Sequence, residues 1–107
     1  MSFDLDLTLT EMAAAARATF GRASKKTGAA LRRVLDDQKD ALRRIAAARL
    51  AGEIDDAELQ RQLANTRLVF EAGLSMVRAV SKASIQKALD AAFDVLAKAI
   101  GRAVAGA

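Results

Sequence analysis

Carboxylates, cations and hydroxyls are the groups in this chain that can do chemistry. His, Cys, Trp and Tyr are absent, which removes the imidazole base, the thiolate nucleophile and the soft metal ligands together. Segment 21–27, GRASKKT, carries the Lys-Thr pair of a phosphate-binding loop. Such a loop needs Gly directly before that pair and a strand before the loop; Lys25 occupies the Gly position and no strand pattern precedes it. Asp36 and Asp37 come within reach of Glu71 if the chain reverses near residue 53. Facing carboxylates can hold a divalent ion, but helical carboxylate metal sites add Glu-x-x-His pairs that this chain cannot supply. Arg32, Arg33 and Arg67 stand close enough to neutralise the three acids. The expectation is a salt-bridge cluster, with no catalytic residue, no metal, no cofactor and no small-molecule substrate.

The run Arg32, Arg33, Asp36, Asp37, Lys39, Asp40, Arg43, Arg44 alternates sign at helical spacings of three and four, the pattern of a solvated face. Charge is nevertheless uneven. Residues 8–50 hold ten basic and four acidic groups, residues 53–107 hold seven of each, and the whole chain is +4. That excess attracts polyanions. With Asp interspersed and no Trp or Tyr for stacking, nucleic acid is not expected as the primary partner; an anionic lipid surface enters as an alternative.

The elements that carry these residues are helical. Ala fills 26 positions and Pro none, a mixture that favours long uninterrupted helices. Thr8 with Glu11, between Leu7 and Met12, reads as a capping box with its hydrophobic staple. The same grammar recurs as Asp55 with Glu58 between Ile54 and Leu59. Gly52 sits where a left-handed residue ends a helix. The chain is therefore read as an all-α antiparallel hairpin of two long helices, about 9–51 and 55–104. Gly52, Ile54, Asp55 and Glu58 form the turn, and the whole is one domain. Residues 1–7 alternate Phe3, Leu5 and Leu7 with polar residues, the period of an extended arm or tail.

An eleven-residue apolar period runs through both helices: Leu9, Phe20, Leu31, Leu42 in the first and Leu63, Leu74, Ile85, Leu96 in the second. It corresponds to about 3.67 residues per turn and a nearly straight seam. Its unbroken phase argues for a continuous first helix despite Gly21 and Gly28. Gln38 and Thr66 interrupt the seams and are expected to fix register between helices.

Two helices cannot enclose a core. The surplus apolar surface at Leu68, Val69, Met76 and Val80, and at Leu89, Phe93, Ile100 and Val104, is expected to meet a second subunit in a four-helix bundle or larger oligomer, or another helical protein. The functional expectation is a non-catalytic structural or adaptor protein acting through helix–helix contact. The alternative is a peripheral protein that opens to lay amphipathic faces on a membrane or other hydrophobic surface. No uncharged stretch exceeds six residues and acidic residues stand near the N-terminus, so neither a spanning helix nor a signal peptide is expected and cytoplasm is the default location.

Overall fold

The sequence-derived hairpin is present, but it is folded in half. A computed structural model describes residues 3–20, 25–76 and 80–106. These form α1 (Leu5–Phe20), α2 (Lys25–Leu50), α3 (Asp56–Leu74) and α4 (Lys82–Gly106). A straight helix over 9–51 would be roughly 65 Å long at 1.5 Å per residue, whereas the longest dimension of the molecule is 41 Å. That length matches α2 alone. The two long helices are thus corrected to four shorter ones, all adjacent pairs antiparallel: the start of α1 lies beside the end of α2, where Asp6 meets Lys39 at 2.6 Å.

The pairing of the hairpin survives the doubling. Its principal contacts are α1 with α4 and α2 with α3, and residues whose numbers sum to about 107 still oppose each other: Val34 lies against Gly73, and Thr8 and Ala99 line one surface groove. The reason for folding over is the one that made a lone hairpin unsatisfactory. Each fully buried Leu, Ile or Phe stabilises by about 1.5–3 kcal/mol, against about 1 kcal/mol for a Gly in a helix. An intramolecular partner also avoids the association cost of a second subunit. One chain therefore supplies all four helices that a dimer was expected to assemble.

Helix starts show which local signals hold. Asp4, a stronger cap than Thr, receives the Leu7 N–H at 3.1 Å. Thr8 lies inside α1 and donates to the Asp4 carbonyl at 2.8 Å. The first turn of α1 thus occupies residues 5–7 of the expected arm, and Phe3 packs against the core. At the second start Asp55 caps as expected, accepting from the Glu58 N–H at 2.8 Å. The Glu58 carboxylate binds the Arg61 and Gln62 side chains, competing with the return half of the box. Ser81 begins α4 by accepting the Ser84 N–H at 3.1 Å.

The α2–α3 turn is closed by Gly52 at φ +76°. The Glu53 N–H reaches the Ala48 carbonyl at 2.9 Å and the Gly52 N–H reaches Arg49 at 3.1 Å, the paired bonds of a Schellman cap. Space around Gly52 is open, so a substitution there acts through the backbone alone. Gly52→Val should lower stability by more than about 1 kcal/mol, measured by chemical denaturation; an unchanged midpoint would remove this cap from the account.

Every member of the two eleven-residue series named above is buried. Met12, Leu31, Leu42, Leu74, Leu96 and Ile100 form the centre, and Phe70 meets Phe93 edge-to-face with centroids 5.2 Å apart. Ile45 is also buried and Val34 half-buried, while Gly21 lies outside the described residues. Thr66 is buried, but its hydroxyl donates to the Gln62 carbonyl of its own helix at 3.0 Å. That bond therefore joins no second helix and sets no register between them.

Candidate interaction surface

The eight expected interface residues separate into two groups. Leu89, Phe93 and Ile100 are buried in the chain's own core and Val104 is half-buried against it, so the C-terminal third is covered from within. Leu68, Val69 and Met76 remain 61%, 46% and 83% exposed. Leu68, exposed Ala72 and Met76 follow an i, i+4, i+8 spacing, Val69 flanks Leu68, and Met76 lies just past the end of α3. Val80 is half-buried at the far side of an open cleft between α3 and α4, which Leu68, Ala72, Ser75, Val80 and Ile85 also line.

Polar groups fix the two walls of this cleft. Arg67 on α3 reaches α4 with three contacts: its guanidinium donates to the Gln86 carbonyl at 3.2 Å and Gln86 Oε1 at 2.7 Å, and it pairs with Asp90 at 2.6 Å. Its Nε also donates to Glu71 at 3.4 Å. The planar fork of Arg suits such multiple acceptance. Sequence reading assigned Arg67 to Asp36, Asp37 and Glu71. Its partners on α4 become neighbours only through the reversal after residue 76, so no spacing rule along one helix finds them. Asp36 instead pairs with Arg32 at 3.8 Å on the exposed side of α2.

Two carboxylates have displaced ionisation. Asp6 is held below the usual carboxylate range by the hydrogen bond from Lys39 and then by its charge. Glu58 is lowered by hydrogen bonds from Arg61 and then Gln62, while Arg61 is raised by the same contact. Both acids are stabilised as anions, the direction of a structural ion pair and opposite to that of a general acid. Among the described residues no group of three or more acidic side chains is arranged to hold a metal ion, and no helix is long and apolar enough to cross a membrane. Segment 21–24 of the loop-like GRASKKT motif lies outside the described residues.

No family model matches the chain, and neither the curated proteins nor the solved structures contain a match. The surface itself therefore carries the functional argument. The molecule exposes 6501 Å² for a mass of 11.3 kDa, against roughly 5,700 Å² for a compact monomer of that size. Its elongated shape contributes to the difference, and the uncovered α3 face adds apolar area to it.

Proposed function

We propose that this protein is a non-catalytic helical adaptor that works through helix–helix contact, either with a second copy or with a helical segment of another protein. The observation that carries the reading is the exposed apolar face of Leu68, Val69 and Ala72 on α3, continued by Met76 just past its end. Large apolar side chains exposed side by side at the end of one helix are a docking pattern. The adjoining cleft is braced by Arg67, so a partner would meet a preformed surface.

Self-association is tested by sedimentation equilibrium at micromolar concentration, where a dimer has twice the 11.3 kDa chain mass. Leu68→Asp with Val69→Asp should weaken association by at least about 100-fold while leaving the far-UV circular dichroism unchanged, because both side chains face solvent in the single chain. Cross-linking pull-down with the same pair of proteins tests a different partner. A well-folded monomer that captures no protein sensitive to the double substitution would remove the reading.

A further inference from the structure

Folding the hairpin in half gathers cations as well as apolar faces. One end of the bundle is built from the second half of α1, the start of α2, the end of α3 and the start of α4. Among the described residues, 12–20, 25–35, 72–76 and 80–89 supply it; they hold no Asp or Glu, and Arg17, Arg32, Arg33, Lys82 and Lys87 are exposed cations. In the sequence these are two distant runs. In the fold they converge: a Cβ on Gly28 would lie 3.8 Å from Arg17 Cδ, Gly73 abuts Val34, and α3 and α4 share the cleft beside Lys82. Asp4, Asp6, Glu53, Asp55 and Asp56 mark the opposite end.

We propose that this basic end docks on an anionic membrane surface, its cations facing the lipid headgroups and Met76 entering the acyl boundary. Arg17, Arg33, Lys82 and Lys87 are exposed on three different helices. A planar anionic surface meets a charge distributed around the end of the bundle as a whole, which a single peptide in one groove does not. Met76, 83% exposed at the same end, finds apolar surroundings in lipid and none along a phosphate backbone. Nucleic acid is further disfavoured because Phe20, Phe70 and Phe93 are buried and Phe3 lies at the other end, leaving no aromatic there for base stacking among the described residues. A second copy docked through the same end would oppose like charges. End-on docking needs no opening of the bundle, and it leaves Leu68 and Val69 on the flank of α3. It shares only Met76 with the adaptor reading, whose own test rests on Leu68 and Val69.

The experiment is flotation of the intact protein with mixed phosphatidylcholine–phosphatidylglycerol vesicles, pure phosphatidylcholine vesicles and a random-sequence DNA duplex as competitor. Binding should require the anionic lipid and fall as salt rises. Lys82→Glu with Lys87→Glu should lower the partition coefficient by more than about tenfold, and Met76→Ser by about three- to tenfold. Lys98→Glu with Arg102→Glu, which changes net charge equally on exposed positions further along α4, should have a much smaller effect. Circular dichroism confirms that each variant is folded. Absence of flotation at low salt, equal binding to uncharged vesicles, or equal losses in the two charge-reversed pairs would overturn the proposal. So would preferential DNA binding indifferent to Met76→Ser, which would assign the basic end to nucleic acid.

Discussion

Phe70→Ala should destabilise the protein by about 3–5 kcal/mol, a large part of the roughly 5–15 kcal/mol that holds a small domain together. Phe70 is fully buried at the α3–α4 contact, edge-to-face with Phe93 at an interplanar angle of 88°. Truncation removes both its transfer energy and the aromatic pair. The pair also reports on topology. On one straight helix positions 70 and 93 would stand roughly 35 Å apart and could not interact. A double-mutant cycle between Phe70→Leu and Phe93→Leu, read by urea denaturation, should therefore give a coupling of about 0.5–1.5 kcal/mol. Strictly additive losses would mean that α4 does not fold back on α3.

The features legible in the sequence were those decided within a few residues. Gly52 and Asp55 perform the roles their types and spacing imply because a cap is made by its own neighbours. The eleven-residue repeat identified buried positions correctly, yet the inference from unbroken phase to unbroken helix failed. Leu9, Phe20, Leu31 and Leu42 are buried on two helices, so phase records which side chains face the core and is silent about whether the backbone between them is helical. The division between core and surface was hidden for a related reason. Leu68 and Leu89 are the same residue type, and both fall outside the eleven-residue series. One is exposed and the other buried because only Leu89 faces the centre created by the reversal. The α3 face was thus visible as apolar, whereas its separation from the C-terminal third required the tertiary arrangement. The α4 partners of Arg67, the Ser81 cap and the gathering of cations at one end were missed because each acquires its meaning from an element boundary or a long-range neighbour.

Gly73 should respond to substitution in the opposite sense to Gly28, although helix propensity favours Ala at both by up to about 1 kcal/mol. A Cβ built on Gly73 would lie 2.6 Å from Val34 Cγ2. Val34 is β-branched and held in few rotamers within a helix, so α2 and α3 must separate or the valine must strain. Gly73→Ala is accordingly expected to cost about 1–3 kcal/mol, and Gly73→Val more. At Gly28 the added Cβ would meet only the flexible Arg17 side chain at an ordinary 3.8 Å, so Gly28→Ala should be neutral to stabilising. The causal test is the pair. Val34→Ala alone loses apolar contact, but in the Gly73→Ala background it removes the branched methyl groups that obstruct Cβ. The double variant should recover part of the Gly73→Ala loss, with a favourable coupling of about 0.5–3 kcal/mol in equilibrium denaturation. Stabilisation by Gly73→Ala would show that α2 and α3 stand further apart; an additive loss would place its cause away from Val34. Recovery would locate the closest approach of the two helices where the hairpin register puts it, at residues 34 and 73.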